Sequence, residues 1–414
     1  MKKVSENDVP PLRDIKVVDF SNFVAGPVVG KILADWGAEV FKIERFEGDP
    51  WRWYGVNYQL PCQPDENPLF DLENLNKKFV ALNLKTPDGK EIMHRLISRA
   101  DIFVTNFRTD ALKKMHLSYE DLAPRYPQLI FGQIEGFGAQ GPDAKRAGFD
   151  VVAYWARSGA MIDLVPAEVN VPITAPFGFG DHVTGATLVG GICAALFRRE
   201  RTSRGDKVSI SLYGNAIFNV GSMVLSAQTK YGNPFPRYRS QPTNAAGTTY
   251  KCRDGKWIML SILEYERYWP ILCEKVLDKP ELAKDERFKT KTAAKENRGA
   301  GVDILEKIFL TKTSDEWAKL LNEADIAFEK IAQFKDVTSD GQAWANDYLF
   351  NHLFKNKNSA ILPRTPITFE SFKMGNPAPE TRIGEHTRDV LLGLEYTPSQ
   401  IEELEKGNII KCAS

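Results

Sequence analysis

Residues 15–45 read IKVVDFSNFVAGPVVGKILADWGAEVFKIER. Ile15–Asp19 is a short apolar run and reads as a strand. Gly26–Trp36 has helical spacing, and Gly37 stands at the expected C-terminal end of that helix. Glu39–Ile43 reads as a second strand. The alternation continues: Pro87–Arg99 is helical with proline at its first turn, and Ile102–Asn106 is a third strand. Ser118 opens a short helix, capped in a box-like way by Asp121, and Leu129–Ile134 is a fourth strand. Strands alternating with helices predict an α/β fold with a parallel, doubly wound sheet. Ligands of such sheets sit beyond the carboxyl ends of the strands. Here those ends are the segments after Asp19, Ile43, Asn106 and Ile134.

The pattern changes after about residue 225. Residues 231–249 are rich in Pro, Gly, Asn, Thr and Arg and show no period. A hairpin follows, Thr248–Arg253 and Lys256–Ile262, turning at Asp254-Gly255. Helical segments run on to about 325, including Ser314–Ala324. Pro363, Pro366 and Gly375 make 336–375 read as an irregular return, and Thr387–Gly393 and Pro398–Lys406 read as helices. The expected organisation is a large α/β part over 1–225, a smaller α+β domain with linkers over 226–335, and a return segment over 336–414. No internal repeat or low-complexity tract interrupts it.

The 414 residues carry 54 Lys and Arg against 54 Asp and Glu, so the net charge is zero, which argues against a protein that coats nucleic acid. With 43% hydrophobic and 26% charged residues the chain has the composition of a globular protein. Its longest apolar run, Gly185–Phe197, is short of the roughly 20 residues that span a bilayer. Met1–Asp8 is polar and charged, so neither a signal peptide nor a membrane partner is expected. Cys62, Cys193, Cys252, Cys273 and Cys412 are scattered without a C-x-x-C, which suits unpaired thiols in the cytoplasm.

Gly136-Phe137-Gly138-Ala139-Gln140-Gly141 is a literal G-x-G-x-x-G. A dinucleotide fingerprint must open a helix, but Pro142, Asp143 and Gly148 follow, so it reads as a loop. His94, His116, His182, His352 and His386 are dispersed without metal-ligand spacing, and no metal site is expected. Serine-hydrolase elbows and Walker A loops are absent from the sequence.

Two features point to chemistry. Gly178-Phe179-Gly180-Asp181-His182-Val183-Thr184-Gly185 places a carboxylate on a glycine-flanked turn before an apolar helix. A helix N-terminus favours negative charge, and glycines let a bulky ligand approach the backbone. Aspartate is also a common N-cap, so both roles are open. The second feature is a set of cations beside predicted strand ends: Arg45 after the second strand, Arg108 with Lys114 after the third, Lys145 and Arg146 after the glycine loop, and Lys77 and Lys78 before Val80–Leu84. Singly each is ordinary solvated surface. Converging on one sheet edge, they suit a multiply phosphorylated ligand.

These residues fall in strings that resemble the class III (family III) CoA-transferases, the group of formyl-CoA and carnitine CoA-transferase. The strings are Leu12–Pro27, Ala34–Arg45, Asn74–Lys78, Leu82–Gly89, Asp101–Phe107, Gly148–Ala153, Gly180–Gly185, Gly205–Val208 and Gly384–Val390. The resemblance implies a Rossmann-like large domain built from both termini, a small inserted domain, and an interlocked homodimer. It implies no permanently bound cofactor, with coenzyme A and acyl-CoA as substrates together with a carboxylic acid. The family's catalytic aspartate falls on Asp181, with Asp150, Gly180 and His182 as supporting positions beside it. Asp150 is equally readable as a helix cap. The family's CoA-binding positions fall on Phe23, Val24, Ala25, Arg45, Lys77, Asn106, Phe107 and Lys114, and Arg146 joins them as a nearby cation.

Formyl-CoA transferase has a glutamine where this chain has Val24, and a glycine-rich flap where this chain has Gln241–Thr249 (QPTNAAGTT). A larger acyl group is therefore expected. Asp71-Leu72-Glu73-Asn74, Gly180-Asp181-His182 and Gln342–Leu349 resemble the enzymes that move CoA onto 2-hydroxy acids of the aryl-lactate or 2-hydroxyisocaproate type. Trp51, Trp53, Tyr54, Tyr154 and Trp155 are candidates for an apolar acyl pocket. Two alternatives stand beside CoA transfer. The fold also hosts 2-methylacyl-CoA racemases, whose histidine base is replaced here by Phe149, with His182 as a substitute to weigh. A non-catalytic CoA-binding protein would need the cations but not Asp181.

Overall fold

The computed structural model describes residues 9–169, 171–377 and 381–413; the polar start at 1–8 lies outside the described residues. The chain divides into two compact units. One comprises the chain up to Gly159, Ala175–Gly221 and the chain from Gly341; the other comprises Ala160–Thr174 and Ser222–Asp340.

In the larger unit the chain order is β1 (Lys16–Phe20), α1 (Ala25–Asp35), β2 (Glu39–Glu44), α2 (Pro68–Asn74), β3 (Lys78–Leu82), α3 (Pro87–Ser98), β4 (Ile102–Thr105), α4 (Thr109–Met115), α5 (Tyr119–Leu122) and β5 (Ile130–Glu135). A one-turn helix α6 (Ala160–Asp163) belongs to the smaller unit, and the long α7 (Phe179–Thr202) then leads into β6 (Lys207–Ser211). The strands form one sheet in the order β12-β3-β2-β1-β4-β5-β6, where β12 is Ile410–Lys411. β1 to β6 are all parallel, and β12 alone runs antiparallel, on β3. The chain winds outward from β1 to β2 and β3, then crosses back to β4. β1 and β4 thus flank the switch point, where loops part and leave a crevice.

β1 to β5 are buried on both faces, as expected when helices cover each side, while the edge strand β6 is only half-buried. Val18, Phe20, Phe103 and Phe131 pack with Ile92, Met93 and Leu96 of α3 and with Leu391 and Ile401 near the C-terminus. On the other face α1, every residue of it buried, lies against the sheet and packs on α7. The β3 edge is closed from the C-terminal segment: the Phe79 N–H donates to Nδ1 of His386 (3.1 Å) and the Ala81 N–H to Oγ1 of Thr387 (3.0 Å).

The smaller unit has a three-stranded antiparallel sheet, β7 (Thr249–Lys251), β8 (Trp257–Leu260) and β9 (Phe328–Lys330), over a core with Trp269, Phe309 and Trp317. Two expectations need correction. Residues 160–174, read as part of the large domain, cluster with this unit, because the Ala167 N–H donates to Arg237 O and the Arg239 N–H to the Glu168 carboxylate. Within the irregular return, Leu349–Leu353 and Ser359–Pro363 pair as the antiparallel hairpin β10–β11. Its inward positions, Phe350 and His352, alternate with outward ones, but a buried histidine disguises the period.

Candidate active site

The loop from β1 to α1 and the end of β4 meet at the switch point. The Asn22 N–H donates to Oδ1 of Asn106 (2.9 Å), and Nδ2 of Asn106 donates back to Asn22 O (2.6 Å). Phe23 follows at φ +63, a conformation rarely held by a side chain of this size. Its N–H is held by Oδ1 of Asp49 (3.0 Å). Strain of this kind persists only where its surroundings impose it, and it concentrates at functional sites.

A cleft of about 830 Å³ opens there, lined from the segments after β1 and β4, α4, β5, the glycine loop and α7. Phe23, Ala25, Asn106, Phe107, Lys114, Arg146 and Asp181 share its wall. Its basic side chains are Arg108, Lys113, Lys114, Lys145, Arg146 and Lys207, against the acidic Asp110, Glu120, Glu135 and Asp181, a surplus of two positive charges. The glycine loop is a loop here too. Gly136 and Ala139 line the cleft, and Gly138 and Gly141 take φ +102 and +88 without a helix following.

Asp181 sits in the first turn of α7. It is not the cap: Gly178 holds that position at φ +71, a conformation available to glycine at little cost. Gly180 is needed for space, since a Cβ there would stand 2.2 Å from Oδ1 of Asp150 and 2.4 Å from Cγ of Tyr154. Asp150 therefore lies directly under the turn. It is buried, starts the π-helical turn Asp150–Ala156, and neither oxygen has a partner at hydrogen-bond geometry. Burial pushes its carboxyl up to about 6, although the nearby Gly180 and Gly178 N–H groups pull the other way. Burial also drives Asp181 up to about 7, with the charges of Asp150 and Glu73 adding to it and His182 opposing it. Two carboxyls so close resist ionising together.

His182 projects from the same turn. Its Nδ1 lies 2.8 Å from Gly178 O and its Nε2 3.4 Å from Oε1 of the buried Glu73. The other Glu73 oxygen accepts from Nε1 of Trp51 (3.0 Å).

The structure separates the expected binding residues. Arg45 is exposed beside Glu47 (3.7 Å) and is not part of the cleft wall. Val24 is buried, with Cγ1 3.7 Å from where a Gly178 Cβ would stand, so it packs on the turn instead of facing the cleft. Lys77 is the clearest correction. It is fully buried, and its Nζ donates to Oδ2 of Asp19 (2.8 Å), Pro27 O (2.7 Å) and Oδ1 of Asn74 (2.9 Å). Burial lowers it to about 8 against the pull of Asp19. All three of its protons are spent, leaving none for a phosphate. Trp51, Trp53, Tyr54, Tyr154 and Trp155 are likewise absent from the cleft wall. Asn22, Lys113, Glu135 and Lys207 line it without having been singled out. Asn22, Glu73 and Lys207 did lie inside quoted strings, but no pattern in the chain gave them a role.

Comparison with known proteins places the chain. The profile described as CoA-transferase family III matches residues 12–387. The (R)-2-hydroxy-4-methylpentanoate CoA-transferase of Clostridioides difficile is 42% identical over 97% of this chain and 99% of its own length. The cinnamoyl-CoA:phenyllactate CoA-transferase of Clostridium sporogenes is 38% identical over 97% of each. The crystal structure of a CaiB/BaiF family protein from Brucella suis superposes with a TM-score of 0.78 at 28% identity, covering 94% of this chain and all of the other.

Proposed function

The chain belongs to CoA-transferase family III and is a CoA-transferase, and we propose that it moves CoA from an acyl-CoA onto a 2-hydroxy acid, using Asp181 as nucleophile. The observation that carries this reading is the placement of Asp181 on the wall of a cationic cleft, at the N-terminus of the 24-residue helix α7.

The Asp181 carboxylate attacks the thioester carbonyl, giving an acyl-aspartyl anhydride and CoA thiolate. The thiolate attacks the aspartyl carbonyl, forming an aspartyl-CoA thioester and releasing the first acid. The acceptor carboxylate attacks that thioester, giving a second anhydride and the thiolate again. The thiolate then takes the new acyl group and frees Asp181. Negative charge builds at the aspartyl carbonyl in the second and third steps, where the α7 dipole favours it. Lys114, Arg146 and their basic neighbours hold the CoA phosphates through charge-assisted contacts. Acceptor choice is drawn from the two relatives above, both named for acids bearing a 2-hydroxyl group.

The racemase reading loses support at two residues. Phe149, which lines the cleft edge-on to Phe23 (5.8 Å), has no proton to exchange, and both ring nitrogens of His182 face acceptors.

The test is intact-protein mass spectrometry after incubation with an acyl-CoA and hydroxylamine trapping, on wild type and Asp181→Ala. A modification mapping to Asp181 and missing from the variant supports the reading. Absence of any adduct across a panel of donors, with α-proton exchange of a 2-methylacyl-CoA in D₂O, would overturn it in favour of isomerisation.

A further inference from the structure

We propose that His182 is a positioning residue that acts as a fixed imidazolium, clamped between the Gly178 carbonyl and Glu73, holding both the glycine turn and a positive charge beside Asp181. The inference rests on the reading of Asp181 as nucleophile and adds how its carboxylate is kept available.

The geometry is a double acceptor. A neutral imidazole donates from one nitrogen only. Here Nδ1 meets Gly178 O at 2.8 Å, and Nε2 meets the Glu73 carboxylate at 3.4 Å. Both acceptors are satisfied only if both nitrogens carry protons. Glu73 is itself fixed, because Oε2 accepts from the indole of Trp51 and its side chain is 2% exposed. A buried carboxylate of this kind requires a cation, and His182 is the cation placed to meet it. The His182 side chain is 44% exposed, and its partial burial favours the neutral form, but Glu73, the Gly178 carbonyl and Asp181 together outweigh it and raise the imidazole above its ordinary value.

The clamp has two effects at Asp181. Gly178 O also accepts the His182 backbone N–H at 2.9 Å, so one carbonyl is held twice and the turn cannot swing. The imidazolium also counters the two carboxyls that face Asp181, Asp150 beneath the turn and Glu73 on α2. Without it, three carboxyl groups would share the site with no cation, and Asp181 would hold its proton to higher pH.

The test has an arm that does not depend on catalysis. In ¹⁵N-histidine-labelled wild-type protein, His182, assigned by loss of its signal in His182→Gln, should remain doubly protonated at pH 7.5. In Glu73→Gln it should lose its proton at lower pH. A neutral wild-type His182 at pH 7.5 overturns the clamp. The second arm follows adduct formation on Asp181 from pH 5.5 to 9. His182→Gln, which keeps a hydrogen-bonding amide but no charge, should shift the acid limb upward by about one pH unit. The rate near pH 6 would then fall about tenfold and recover near pH 8.5. A uniform loss at every pH, or a superimposable profile, would make His182 a packing residue only. If wild type itself forms no Asp181 adduct, the nucleophile assignment fails, while the first arm still reports on the clamp.

Discussion

Replacing Asp150 by asparagine removes a costly buried charge near the site while keeping its shape. Asp150 is 6% exposed and lies under Gly180 with no partner at hydrogen-bond geometry. Its carboxyl titrates near 6 in the fold against 3.8 ordinarily. The folded chain thus holds this proton more tightly than the unfolded one. Below about pH 3.8 both states are protonated and the residue costs nothing. Between 3.8 and 6 the unfolded state ionises first, and stability falls as pH rises. Above about 6 the penalty is complete, about 3 kcal/mol at ~1.4 kcal/mol for each pH unit. Asp150→Asn escapes it, so its advantage over wild type should grow from near zero at pH 4 to about 3 kcal/mol at pH 8. For a chain of this length that is a difference in Tm of about 3–4 °C. Scanning calorimetry of both proteins across that range measures it; subtraction removes the titrations they share, and Asp181, relieved of the Asp150 charge in the variant, adds to the difference in the same direction. The reasoning is refuted if the difference in Tm does not change with pH, or if wild type becomes the more stable protein at high pH.

Other consequences follow from the same geometry. Because Asp181 titrates near 7, adduct formation should rise with pH through neutrality, with about a tenth of the limiting rate at pH 6; a limb centred near pH 4 in a pre-steady-state assay would contradict the burial argument. Lys77→Met takes the salt-bridge partner from the buried Asp19, leaving it the Ser21 hydroxyl, and should cost about 3–5 kcal/mol by denaturation, without altering the salt dependence of acyl-CoA binding. Lys114→Ala and Arg146→Ala should each raise the KM for acyl-CoA several-fold, and the increment should shrink at high ionic strength. An equal loss in kcat with unchanged KM would count against a phosphate-binding role.

The position of the candidate site was legible because its signals are local. The glycine turn, Asp181 and the strand-end Asn106 and Phe107 each sit where a strand or helix ends. Those ends are visible from apolar runs and turn residues within a few positions. Lys77 and Lys114 show where that reading stops. Both are lysines beside predicted elements, and nothing within a few residues tells them apart. Lys77 is claimed by Asp19, 58 positions away, while Lys114 lines an open cleft. Glu73 was passed over for the same reason. A glutamate on a short helix is ordinary until the fold brings His182 and Trp51 to its two oxygens.

By itself, then, the amino-acid sequence determined the α/β alternation and the parallel sheet, which follow from backbone periodicity, and it set Asp181 on a glycine-flanked turn before a helix. The reading of Asp181 as nucleophile came from the resemblance to the CoA-transferases, since turn chemistry alone left it open to a capping role. The tertiary structure alone decided which cations face the cleft, that Asp150 lies unpaired beneath the turn, and that His182 has an acceptor on each nitrogen. Charge, unlike periodicity, is a property of surroundings. A side chain becomes a ligand, a strut or a perturbed acid only when segments distant along the chain, such as Asn22 and Asn106, 84 positions apart, close around one point in space.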